Sequence, residues 1–202
     1  MITTIIDQRA KNRLEIRNLI LATARELFIH EGFESFSLRR LAVQIGYSPA
    51  AIYNHFKSKG SIFECLAEES FAALQAAAEE IKPIAGEEPL DRLRRGLWGY
   101  VNFGLKNPDH YRFAFLIHTS VSTNRRNPRA AYLGLQRRLE ACIEAGQIPN
   151  GDIDLLAQSL WAAVHGVTSL LIQRPEFPWA GRRKLITQVI DGALKGIVTH
   201  NK

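Results

Sequence analysis

The 202-residue sequence predicts an all-α protein, and three observations carry that reading. Apolar residues recur at three- and four-residue steps along most of the chain, and no convincing period-2 run interrupts them. Glycine, proline and serine fall between the periodic stretches, where helices start and stop. The expected architecture is a three-helix domain over residues 1–60, holding a helix-turn-helix, followed by a larger helical domain over residues 61–202.

Each element has its own justification. From Leu14 to His30 the set Ile16, Leu19, Ile20, Ala24, Leu27 and Phe28 marks one amphipathic helix, ended by Gly32. Ser37 is placed to cap a second, short helix carrying Leu38, Leu41, Ala42 and Ile45. Gly46 follows, and Ser48-Pro49 opens a third helix with a capping serine and a first-turn proline. Two short helices joined through a glycine fit a helix-turn-helix. The spacing turns Leu38, Leu41, Ile45, Ile52 and Phe56 toward the first helix as a small core. Arg39, Arg40, Gln44, Ala50, Ala51, Tyr53, Asn54 and His55 are left outside, with Lys57 and Lys59 just beyond. A short helix showing polar, aromatic and basic groups suits the major groove of DNA.

Beyond it, a longer helix is expected from Ser61 to about Lys82, with Ile62, Phe63, Leu66, Phe71 and Leu74 as buried positions. Lys82-Pro83 and the stretch from Gly86 to Pro89 break the pattern, and a helix from about Leu90 to Leu105 follows. Asn107-Pro108 is a turn, Tyr111 to Ile117 an aromatic segment, and His118 to Pro128 a polar loop. Ala130 to Glu144 is helical, and Gly146 to Gly151 is a second break. Leu155 to Ile172 is apolar around most of its circumference, which predicts burial on several sides. From Lys184 the stripe Leu185, Ile186, Val189, Ile190, Ala193, Leu194, Ile197 and Val198 asks for a partner surface. A symmetric homodimer through residues 152–173 and 182–200, packed as a four-helix bundle, would supply it.

Composition narrows the function class. A hydrophobic fraction of 46% belongs to a folded globular chain. No apolar run reaches the roughly 20 residues that span a bilayer, so no membrane partner is expected. The amino terminus lacks a basic start followed by an apolar stretch, and Cys65 and Cys142 are lone thiols that suit a reducing cytoplasm. Residues 1–60 hold nine Lys and Arg against five Asp and Glu, a basic balance that suits a polyanion. Residues 61–88 hold one against seven, and residues 89–202 hold sixteen against eight.

These residues carry a resemblance. The run LILATARELFIHEGFESFSLRRLAVQIGYSPAAIYNHFKSKGSIF closely resembles the amino-terminal DNA-binding domain of TetR-family transcriptional regulators. Its most specific piece, from Tyr53 to Lys59, is similar to the family's Tyr-x-His-Phe-x-x-Lys signature. Trp161, His165 and Gly166 look like the Trp and His-Gly motif of one subset of the family's carboxyl-terminal domains. The resemblance implies an all-helical homodimer on a palindromic double-stranded operator, usually repressing, with a ligand pocket in the second domain. By position it implies that Ser37, Tyr53, His55 and Lys59 hold phosphates, and that Arg39, Ala50, Ala51 and Asn54 lie nearest to base edges. The residue types agree, since hydroxyl, imidazole and ammonium groups donate to phosphate. Arg39 and Asn54 are bidentate readers of guanine and adenine, and alanine methyls pack on thymine. Gly60 departs from the family, standing where an acidic residue usually opens the next helix; a looser junction between the domains is the expectation.

For the larger domain, Trp98, Phe103, Tyr111, Phe115, Trp161 and His165 are the candidate lining of a pocket for a hydrophobic small-molecule effector. The bland alternative makes them core. Arg125, Arg126, Arg129, Arg137 and Arg138 read as a solvated surface, with attraction of an anionic effector as the lesser alternative. No cofactor, metal or catalytic group is expected: His110, His118 and His165 with Asp109 are the only acid/base candidates, and they form no recognised catalytic spacing.

Overall fold

The computed structural model describes residues 2–117 and 129–198, with side chains described for Gln8 and from residue 10 onward, apart from those of 118–130. The predicted polar loop at 118–128 lies outside the described residues, as do Arg125, Arg126 and the side chain of Arg129. Helices α1 (Ile2–Ser35), α2 (Leu38–Ile45), α3 (Pro49–Tyr53), α4 (Lys59–Glu79), α5 (Pro89–Lys106) and α6 (Pro108–Tyr111) come first. A single π-turn over Arg112–Leu116 follows, then α7 (Arg129–Glu144), α8 (Ile153–Gln173) and α9 (Arg182–Val198). Among the described residues there is no strand.

The described chain divides into two compact units. Residues 2–70 and 112–117 form the first, and residues 71–111 and 129–198 the second.

In the first unit, α1 runs a dozen residues further toward the amino terminus than its apolar period indicates, because residues 2–13 carry no stripe to read. Its break falls where expected, at Gly32, with φ +79°. The core is a knot of phenylalanines. Phe28 stacks on Phe36 at 4.1 Å between centroids and meets Phe63 edge-on at 5.5 Å, while Phe113 packs 5.5 Å from Phe63. Leu41, Ile52 and Phe56 of the helix-turn-helix are buried against this core, and Ile45 only partly. Each buried side chain of this size contributes on the order of 1.5–3 kcal/mol.

In the second unit, α5 and α8 cross closely because Gly104 has no side chain: a Cβ there would lie 2.5 Å from Thr168 Cγ2 and 2.8 Å from Tyr111 Cδ2. Leu93, Leu97 and Val101 of α5 meet Leu160, Val164 and Leu171 of α8 in its core. The stripe on α9 is covered in part within the chain. Ile186, Ile190, Leu194 and Ile197 are buried in the same unit, so their partner surface lies within the chain. The reading that no apolar segment is long enough to span a bilayer changes. At 21 residues α8 is long and apolar enough by composition, and its burial of Ala157, Leu160, Val164, Val167 and Leu171 accounts for that character.

Candidate functional site

The helix-turn-helix is held by local chemistry. Ser37, in extended conformation, accepts the amide of Arg40 at 3.2 Å, and Gly46 closes α2 in the left-handed region with φ +71°. Ser48 repeats the device for α3, accepting the amide of Ala51 at 3.2 Å, with Pro49 behind it. Caps of this kind contribute about 1 kcal/mol each. The third helix is shorter than expected. It ends at Tyr53, and Asn54 and His55 form the turn whose amides bond to Ala50 and Ile52 carbonyls at 3.2 and 2.9 Å. Phe56 is still buried, since the turn returns it to the core.

This geometry presents Arg39, Ala50, Tyr53, Asn54 and Lys57 to solvent. Ala51 is only half-exposed, a departure from its placement fully outside. Ser37 uses its oxygen as cap acceptor and keeps its hydroxyl proton for an outside acceptor. His55 is half-buried, and burial, then the charges of Arg13 and Arg17, hold its imidazole below the usual range. Two exposed side chains escaped the sequence reading: Val43, at 82% exposure, and Tyr47 at the turn before α3. Their signal was a default. Neither fits the buried period of Leu38, Leu41, Ala42 and Ile45.

Two basic groups have partners inside the chain. Arg40 pairs with Glu31 at 2.7 Å, tying α2 to the last turns of α1. The Lys59 ammonium donates to the carbonyls of Phe33 at 3.2 Å and Glu34 at 3.4 Å, lies 3.6 Å from the Glu34 carboxylate and sits 4.5 Å over the Phe33 ring. It therefore satisfies the carbonyl end of α1, where cations are favoured. Gly60 is buried in the first turn of α4. That helix opens firmly: Ser58 and Ser61 exchange amide-to-hydroxyl bonds at 3.2 and 3.1 Å, a reciprocal cap.

The aromatic candidates of the larger domain fall into different surroundings. Phe115 belongs to the first unit, Phe103 is buried, and Trp98 packs on the second core. Tyr111, Trp161 and His165 instead join Tyr100 in a hydrogen-bond chain. The Trp161 indole donates to the Tyr100 oxygen at 3.2 Å and Tyr100 to the Tyr111 oxygen at 3.2 Å, while His165 Nδ1 lies 2.7 Å from the Tyr111 hydroxyl and 3.1 Å from that of Tyr100. Burial pushes the Tyr100 phenol up to about 12 and Tyr111 higher still, and it holds His165 below its ordinary value. All four groups are thus uncharged near neutral pH.

Elsewhere in the second unit, a groove of about 500 Å³ lies among the end of α4, the start of α5 and α7. None of the six aromatic candidates lines it. Of the two thiols, Cys142 is buried and pushed up to about 11, and burial also raises the half-buried Cys65.

Comparison with known proteins bears on both units. Residues 20–66 match the profile described as bacterial regulatory proteins, tetR family, and residues 93–192 match the tetracyclin repressor-like carboxyl-terminal domain. The chain is 37% identical over 102 residues to the nucleoid occlusion factor SlmA of Vibrio atlanticus, covering 50% of each. It is 32% identical over 95 residues to the transcriptional repressor AcnR of Corynebacterium glutamicum, covering 47% of this chain and 43% of that one. With these relatives the match spans half of their length or less. SlmA of Sodalis glossinidius is 29% identical over 84% of this chain and 87% of its own. Among solved structures, a tetR-family regulatory protein from Rhodococcus RHA1 superposes with a TM-score of 0.75 at 22% identity, over 92% of this chain and 98% of that one. SmeT, the repressor of a Stenotrophomonas maltophilia multidrug efflux pump, does so at 0.70 and 22%, over 92% and 91%. Those two likenesses establish the fold. With a helix-turn-helix built and capped as described, and a family profile matched in each unit, the chain belongs to the TetR family of transcriptional regulators.

Proposed function

We propose that the protein is a homodimeric repressor that binds a palindromic operator and is released by a hydrophobic small molecule. The observation that carries it is the exposed row Arg39, Ala50, Tyr53 and Asn54 on a capped helix-turn-helix with a rigid phenylalanine core. Ser37, Tyr53 and His55 supply phosphate donors; Lys59 supports them from its fixed place at the end of α1. Arg39 and Asn54 read bases, with Ala50 and the half-exposed Ala51 against thymine methyls.

Dimerisation uses what remains of α8 and α9 once the apolar stripe is buried. Leu155, Ala162 and Leu170 stay exposed on α8. Gly192 and Gly196 on α9 have open space above them, which permits close approach of a second copy. A two-fold dimer would set recognition helices one DNA turn apart, about 34 Å. Leu170→Arg should give a monomer by sedimentation and lose operator binding with the first unit still folded.

Gel shifts with the DNA upstream of the protein's own gene test the reading, and binding without salt sensitivity or sequence preference would sink it. Asn54→Ala should relax preference at one base pair by about 1–3 kcal/mol, whereas Tyr53→Ala should weaken all sequences alike. The second reading is a DNA-binding regulator with no small-molecule effector. The interlocked cluster of Tyr100, Tyr111, Trp161 and His165 favours it, as does the likeness to SlmA, named as a nucleoid occlusion factor. Denaturing mass spectrometry of the purified protein separates the two, since a retained small molecule supports the first.

A further inference from the structure

Four cations line the groove at the end of α4: Lys82, Arg92, Arg137 and Arg138. Two carboxylates face them, and both have other engagements. Glu87 is gripped through both oxygens by Arg95, at 2.7 Å each, and Glu79 accepts the side-chain amide of Gln75 at 2.8 Å. Arg95 lies beside the groove and cancels Glu87, so the groove keeps a positive excess.

Arg92 and Arg138 are the unusual members. Neither meets a carboxylate within 4.0 Å among the described residues, and the Nε of each is buried with no hydrogen-bond partner. Arg138 donates only to neutral carbonyls, those of Ala78 at 3.1 Å and Gly134 at 3.3 Å. Its stem is pressed against α5 where Gly96 leaves room; a Cβ at Gly96 would lie 3.4 Å from both Cδ and Nε. Burial and then the charges of Arg92 and Arg95 pull its guanidinium below the ordinary range. A partly buried guanidinium with no carboxylate partner and a repelling neighbour is unfavourable, offset only in part by its bond to Ala78 at the carbonyl end of α4. Between the cations the walls are apolar, formed by Ile81, Pro83, Pro89 and Leu133.

We propose that this groove binds a small organic anion, its carboxylate or phosphate-ester head between Arg92 and Arg138 and its short hydrocarbon body on the apolar walls. Arg92 can take either head group through its terminal nitrogens, and those of Arg138, each with one N–H given to a carbonyl, keep one N–H apiece. The site shares no residue with the aromatic cluster. It deepens the reading of the second unit as ligand-responsive and rests on that reading only for its effect on DNA.

Calorimetry on the full chain, without DNA, tests the site with octanoate, octyl phosphate, uncharged octanol and inorganic phosphate. Saturable binding of octanoate or octyl phosphate is expected, with octanol and inorganic phosphate weaker by on the order of tenfold. The stronger of the two alkyl anions identifies the head group. Arg92→Gln, and separately Leu133→Trp to fill the groove, should each lower the anion affinity by on the order of tenfold while helicity and melting stay as in the parent. Octanol binding as tightly as octanoate, absence of saturation by either anion, or unchanged affinity in both variants would overturn the proposal. Gel shifts that fail while octanoate binds would remove the repressor reading and leave the groove standing.

Discussion

Each unit holds a cluster of aromatic rings and uses it for a different end. In the first, Phe28, Phe33, Phe36, Phe63 and Phe113 are hydrocarbon throughout, and every ring-to-ring contact is dispersion and quadrupole alone. In the second, the core is aliphatic, and the rings packed beside it carry polar handles. Tyr100, Tyr111, Trp161 and His165 satisfy one another through hydrogen bonds. The first arrangement gives a stiff platform whose chemistry is all on its outer surface. The second stores directional bonds inside, and these are sensitive to whatever competes for them.

The largest effect should come from breaking the platform. Phe28→Ala removes the ring that Phe33, Phe36, Phe63 and Phe113 all touch, and about 3–5 kcal/mol of stability should go with it. Thermal unfolding followed by circular dichroism would show this as an early transition confined to the first unit. A single transition at the parent temperature would mean that the platform collapses onto the gap.

Next comes the close crossing in the second unit. Gly104→Ala places a methyl 2.5 Å from Thr168 Cγ2 and 2.8 Å from the Tyr111 ring, and should cost about 1–3 kcal/mol. Tyr111→Phe then isolates the polar difference between the cores. It removes the 2.7 Å hydrogen bond with His165 Nδ1 with little change of shape, for about 1–2 kcal/mol. Tyr100 lies 3.1 Å from the same nitrogen and can replace part of the bond, so the smaller figure is expected. Chemical denaturation with an unchanged m-value is the check.

Legibility in the sequence follows the same division. The caps at Ser37 and Ser48, and the stop at Gly46, are local signals, and they place α2 and the start of α3 correctly. The end of α3 is not local. Ile52 and Phe56 keep a four-residue apolar step through a turn that leaves the helix at Tyr53, so periodicity runs past the true boundary. The outward row at Arg39, Ala50, Tyr53 and Asn54 follows by subtraction from that period. The engagements of Arg40 and Lys59 do not, because both depend on where the end of α1 lies in space. The α9 stripe is visible as a stripe, but a sequence cannot say whether its cover is another copy or the same chain. The groove at Arg92 and Arg138 brings together residues 46 positions apart, and nothing in the run of arginines on α7 marks the half-buried one.

The smallest effect sharpens the comparison most, because one histidine in each unit is shifted in the same direction. Burial lowers both His55 and His165, and Arg13 and Arg17 add to the shift at His55. With folded values below the unfolded value near 6.5, the unfolded chain binds more protons as pH falls. Stability is therefore full above that value and declines as pH drops through it toward the folded values. His165→Gln should flatten this decline in the second unit only, read from melts between neutral and mildly acidic pH. His55 should behave differently once DNA is present. A phosphate beside it favours the imidazolium against Arg13 and Arg17, so operator binding takes up a proton and affinity rises as pH falls. His55→Gln should remove that rise while leaving affinity at higher pH close to the parent. A pH slope of operator affinity that survives His55→Gln would move the linkage to another group and take His55 out of the phosphate set.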